Sequence, residues 1–80
     1  MVKRKKVKPG EAFHFHNGMT AETKSQLLVQ LKQMSEEEFS SYVNERKNDF
    51  YNWLKDCLDT ELAIRIKDVT DKSRMIALLK

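Results

Sequence analysis

The run Phe50-Tyr51-Asn52-Trp53-Leu54-Lys55-Asp56-Cys57-Leu58 decides the reading of this chain. Phe50, Trp53, Leu54, Cys57 and Leu58 stand at i, i+3, i+4, i+7 and i+8, the spacing that puts apolar side chains on one face of an α-helix. That stripe predicts a central core helix. Asn48-Asp49 stand just before it, and either side chain can accept from the free amides of a first helical turn.

Toward the C-terminus, Asp59-Thr60 restarts the chain as a further helix, with Leu62, Ala63, Ile66 and Val69 turned inward. Thr70-Asp71 then caps a last helix carrying Met75, Ile76, Leu78 and Leu79. Toward the N-terminus, Ser35-Glu36-Glu37-Glu38 has the form of a capping box, in which Ser35 bonds the Glu38 amide and Glu38 reaches back. Met34 and Phe39 flank that cap as a hydrophobic staple, and Phe39, Tyr42 and Val43 give the helix its apolar face. An earlier helix is expected from about Ala21 to Met34, with Thr20 as its cap and Leu27, Leu28, Leu31 and Met34 on one side. Before it, Phe13 and Phe15 alternate with His14 and His16 and the segment closes at the turn signal Asn17-Gly18. No second strand is evident, so an extended segment is expected, with both phenylalanines turned to the helices. The predicted fold class is all-α: a compact bundle of about five short helices, preceded by an extended segment and a basic N-terminal arm.

With 80 residues the chain is at most one domain. A chain this short buries only about 60% of the surface it exposes when unfolded, so its stability is expected to be small. The one cysteine, Cys57, cannot form an internal disulfide, which fits a reducing compartment. No apolar run approaches the roughly 18 residues of a membrane span, and no apolar stretch follows the basic start as a secretory signal requires. The expectation is a cytoplasmic protein without membrane insertion.

The formal net charge of +3 hides a segregation. Residues 1–10 carry Lys3, Arg4, Lys5, Lys6 and Lys8 and no acid, whereas residues 11–80 carry ten Lys/Arg against twelve Asp/Glu, a balance of −2. The arm is expected to end at Pro9-Gly10, to be flexible in isolation, and to have an anionic partner. Residues 11–80 form the single helical domain.

No arrangement of catalytic residues is evident, and no catalytic residue is assigned. Gly10 and Gly18 are the only glycines, so there is no phosphate loop. Cys57 lies within the core stripe, where a thiol packs as a small hydrophobe. His14 and His16 share one face of an extended segment but lack evident third and fourth ligands, so neither a metal nor another cofactor is expected. Glu36, Glu37 and Glu38 suit the positive end of a helix dipole. Lys3, Arg4, Lys5, Lys6 and Lys8 are the candidate phosphate ligands, since a cationic arm gains affinity by counterion release without fixed geometry. Arg46 and Lys47, placed near the end of the second helix, form a second candidate patch, although a helix dipole explains them equally well.

The segment from Tyr42 to Ala63 resembles a small helical domain of unknown function found mostly in archaeal proteins. Asn48, Asp49, Phe50 and Trp53 match its Asn-Asp-Phe-x-x-Trp block, Leu62 and Ala63 its Leu-Ala pair, and Phe13 and Phe15 its aromatic start. The chain departs from it at Ser41, where that domain often has histidine, and at Asp59-Thr60, where a Gly-Asp pair is usual. The resemblance implies a helical fold and an archaeal source. It implies no activity, so no functional residue is carried over.

The function expected is that of a non-enzymatic, nucleic-acid-associated accessory protein, RNA- or ribosome-bound, with the arm on phosphates. RNA is favoured over DNA because no basic helix is available for a major groove. The alternative is a protein–protein interaction module with an incidental basic tail, which exposed apolar residues such as Ile64 would favour.

Overall fold

The computed structural model describes residues 3–80; the first two residues of the arm lie outside that range. The chain runs through β1 (Phe13–His14), β2 (Thr20–Ala21), α1 (Lys24–Gln33), α2 (Glu36–Tyr42), α3 (Asp49–Trp53), a π-helical turn (Leu54–Leu58), α4 (Thr60–Ile66) and α5 (Lys72–Leu79). The described residues are mostly helical, with five α-helices among them, but the fold is not purely α: β1 and β2 form an antiparallel hairpin pairing Phe13 with Ala21 and His14 with Thr20.

The hairpin turn follows from Asn17-Gly18. Gly18 takes a φ of +86°, open to glycine at little cost, and its amide donates to the Phe15 carbonyl at 3.1 Å. The Asn17 side-chain oxygen accepts from the Met19 amide at 2.9 Å. Thr20 therefore belongs to a strand. The cap of α1 is Thr23, whose hydroxyl accepts from the Gln26 amide.

The remaining helix starts follow the sequence. Ser35 accepts from the Glu38 amide, Asn48 from Tyr51, Asp59 from Leu62 and Asp71 from Arg74. Each cap satisfies an amide that has no partner in its own helix. The reciprocal bond from the Glu38 side chain to Ser35 is not made. Asn48 does more than cap, since its amide nitrogen also donates to the Ile66 carbonyl at 2.8 Å and so ties the start of α3 to the end of α4.

The core is one cluster. Phe39, Phe50, Leu27, Leu31, Leu54, Leu58, Ile66, Met75 and Leu79 are almost fully buried, and Leu62, Ala63, Ile66 and Val69 all face inward as their spacing predicts. Phe13 meets Phe15 and Phe50 with ring centroids 4.9 Å apart and Tyr42 and Trp53 at 5.8 Å. The hairpin is thus stapled to α2 and α3 by aromatic contact, worth about 0.5–1.5 kcal/mol per pair beyond the area buried.

The Phe50–Leu58 stripe does not run as one α-helix. After Trp53 the helix widens, and the Asp59 amide reaches back five residues to the Leu54 carbonyl at 2.7 Å. Leu58 stays buried while Cys57 moves to the edge of the core. Burial pushes the Cys57 thiol up from its ordinary pKa, the Glu11 and Asp56 carboxylates add to the rise, and the Arg4 guanidinium opposes it.

Candidate nucleic-acid interface

The described part of the basic segment lies against the helical body. The Arg4 amide donates to the Leu58 carbonyl at 2.6 Å and the Val7 amide to the Glu22 carbonyl at 3.0 Å. Lys3 pairs with Asp59 as an isolated antiparallel bridge. Val7 has only 4% of its surface exposed. The Trp53 indole N–H donates to the Glu11 carbonyl at 2.7 Å, which fixes the point where the segment joins the hairpin. Gly10, at φ +87°, turns the chain there.

The π-helical turn helps to place this segment. The last carbonyls of a helix lack partners within it, and the Leu58 carbonyl, on the final residue of the widened turn, accepts from Arg4. The arm is thereby laid across the junction of the π turn and α4, facing the first turn of α1.

Between these elements is a groove of about 630 Å³. Lys3, Arg4 and Lys5 line it from the arm, Lys24 from α1 and Arg65 from α4; its carboxylates are those of Asp59 and Glu61. Those two are partly occupied. Asp59 accepts from the Leu62 amide at 3.1 Å, and Glu61 lies 3.6 Å from the Lys3 ammonium. Arg4 lies 3.5 Å from Glu11. Both pairs are solvent-exposed, a setting in which an ion pair is worth about 0–1 kcal/mol. Lys5, Lys24 and Arg65 make no ion pair among the described residues. A groove with five cations against two acids, three of the cations unpaired, is suited to a chain of phosphates.

The sequence-predicted residues are divided by the fold. Lys3, Arg4 and Lys5 come together in the groove. Lys6 and Lys8 do not line it; the Lys8 backbone instead closes a turn with Glu11. Arg46 and Lys47 sit elsewhere, on the wall of a separate recess of about 350 Å³ with Lys67. They are not at the end of α2, which stops at Tyr42; residues 44–47 form a loop closed by the Val43–Asn48 bridge, just ahead of α3. Lys47 is also engaged with Asp49 at 3.1 Å. Lys24 and Arg65 were not legible from sequence as partners of the arm, since only the tertiary fold brings them to it.

The histidines are both exposed. His16 stacks on Tyr42 with ring centroids 4.4 Å apart, and its Nδ1 lies 3.4 Å from the Ser41 hydroxyl. Among the described residues no group of three or more His, Cys, Asp or Glu side chains is placed to hold a metal ion. No helix among them is long and apolar enough to cross a membrane.

No protein-family model, no curated protein and no solved structure matches this chain.

Proposed function

We propose that the protein is a non-enzymatic accessory protein that binds the phosphate backbone of RNA in the groove between the arm, the start of α1 and α4. The observation that carries this reading is the presence of Lys5, Lys24 and Arg65 in one groove, each without an ion-pair partner among the described residues. Five cations there give phosphate affinity without base recognition. Irregular or single-stranded RNA suits the site better than duplex DNA. The longest helix, α1, has ten residues with Lys24 at its start and Lys32 near its end, so it offers no continuous basic face to a major groove.

The test is binding of a labelled single-stranded RNA by the full chain and by a variant carrying Lys5→Gln, Lys24→Gln and Arg65→Gln. The groove reading expects the triple variant to lose most of the affinity while Arg46→Gln/Lys47→Gln retains most of it. Equal affinity in the triple variant and the parent sinks the reading.

A second reading, as a protein-interaction module, is favoured by Ile64, which is 59% exposed on α4. Single exposed apolar residues are ordinary on monomers, so this reading ranks second. Recovery of the native protein with one protein partner and no RNA decides for it.

A further inference from the structure

Gln30 lies on α1 among Leu27, Leu31 and Met34, and only 9% of its surface is exposed. Its side-chain amide has no hydrogen-bond partner among the described residues, although no fully buried side-chain polar atom there goes unsatisfied. The amide therefore retains access to open space. That space is a recess of about 170 Å³ lined by Gln30, Gln33, Asn17, Glu38, Phe15 and Tyr42, with Met34. An amide that bonds no neighbour and opens on a recess is free to bond whatever enters it, water or a ligand.

The lining indicates the ligand's chemistry. Gln30 and Gln33 supply amide oxygens and Glu38 a carboxylate, while the Asn17 oxygen already accepts from the Met19 amide. Phe15 and Tyr42 border the recess but are almost fully buried, and His16 already stacks on Tyr42. Glu38 lines the recess, and Glu36 and Glu37 precede it in the same first turn of α2; all three are exposed and make no ion pair among the described residues, so the local charge favours a cation over an anion. The nearby Lys72 ammonium is occupied with the Met34 carbonyl at 2.6 Å. The volume is below the roughly 300–1,000 Å³ of small-molecule sites and suits one side-chain head. A planar cation with several donors and no acceptor fits amide oxygens beside carboxylates.

We propose that this recess receives one arginine side chain from a basic segment of a partner protein. The site is independent of the phosphate groove, since Gln30, Gln33 and Glu38 belong to the opposite end of α1 and to α2. The protein would hold RNA in the groove by its cations and a basic protein segment in the recess by its acceptors.

The test is a titration of the full, ¹⁵N-labelled chain with N-acetyl-arginine amide, its uncharged analogue N-acetyl-citrulline amide, and N-acetyl-lysine amide. The expected result is a saturable shift of the Gln30, Gln33 and Asn17 side-chain amide signals with arginine, and binding at least about tenfold weaker with the other two. Gln30→Met keeps the volume and removes the amide. It should abolish the response while leaving the thermal midpoint no lower and RNA affinity in the groove unchanged. Glu38→Gln should weaken the arginine response without unfolding the chain. The proposal is overturned by the absence of a saturable arginine shift, by an equal response to citrulline or lysine, or by full arginine binding in folded Gln30→Met.

Discussion

Val7 is the residue through which the basic segment becomes part of the fold, and Val7→Ala measures how much the segment contributes. Its side chain is almost fully buried in the same cluster as Phe15, Leu58 and Leu62, although both its neighbours, Lys6 and Lys8, are exposed. The substitution removes two methyl groups. At about 0.8 kcal/mol for each buried carbon the transfer loss is about 1.6 kcal/mol, and the cavity left behind raises it to about 2 kcal/mol. For a domain of this size the melting temperature should fall by about 8–16 °C. Urea unfolding followed by Trp53 fluorescence gives the free energy, and amide exchange at Arg4 and Val7 reports whether the bonds to Leu58 and Glu22 open with the whole fold or before it. Lys6→Ala is the control, expected to change stability by less than about 0.5 kcal/mol. If Val7→Ala is no more destabilising than Lys6→Ala, the segment is an appendage and the account of the groove's arm wall is wrong.

Other consequences can be measured in the same way. Asn48→Ala loses both the cap on Tyr51 and the bond to the Ile66 carbonyl, and should cost about 2–3 kcal/mol in urea unfolding; a loss under about 0.5 kcal/mol would show the tie from α3 to α4 to be inert. Ser35→Ala removes one exposed cap and should cost about 1 kcal/mol, with α2 amides exchanging faster than those of α4. The raised pKa of the Cys57 thiol means less thiolate at a given pH, so alkylation at neutral pH should be slower than for free cysteine and should accelerate only at higher pH than the free thiol does. The same rise means that the fold favours the protonated thiol. Its contribution to stability is whole below the unfolded-state pKa and is lost as pH climbs through the folded value. Gln30→Met should leave the unfolding midpoint no lower, because the amide it removes bonds no other described residue and methionine has a similar volume.

Much of the helical architecture was legible because its signals are local. Ser35, Asn48, Asp59 and Asp71 cap the helices that their positions announce, and Leu62, Ala63, Ile66 and Val69 all face inward, although α4 ends at Ile66 and Val69 follows it in the loop. What failed to show has a physical reason in each case. β2 is two residues long and is held by its pairing with β1, so it has no pattern of its own. Val7 is one apolar residue among charged ones, without periodicity, and its burial depends on the distant Glu22 and Leu58 carbonyls. The π turn ends in a bond from the Asp59 amide to the Leu54 carbonyl and leaves the spacing of apolar residues intact. Gln30 did leave a trace: Leu27, Gln30, Leu31 and Met34 stand at i, i+3, i+4 and i+7, which puts a polar residue on the buried face.

The site was legible only in halves. Charge segregation pointed to Lys3, Arg4 and Lys5, and these do line the groove. Lys24 and Arg65 join them only because α1 and α4 meet beside the arm, a tertiary fact that no local pattern carries. Arg46 and Lys47 looked similar in sequence, but the Val43–Asn48 bridge carries them to another surface, and Lys47 is turned to Asp49.

The central claim, that the groove's cations take phosphates, is tested most directly by the salt dependence of RNA affinity. For single-stranded RNA the slope of log K against log salt is about −0.7 per phosphate neutralised. Lys5, Lys24 and Arg65 alone give a slope of about −2, and about −3.5 if Lys3 and Arg4 also exchange their carboxylates for phosphates. The account predicts a slope in that range for the parent protein and a slope shallower by about 2 for the Lys5→Gln/Lys24→Gln/Arg65→Gln variant. A parent slope near zero, or one that the triple variant leaves unchanged, contradicts it.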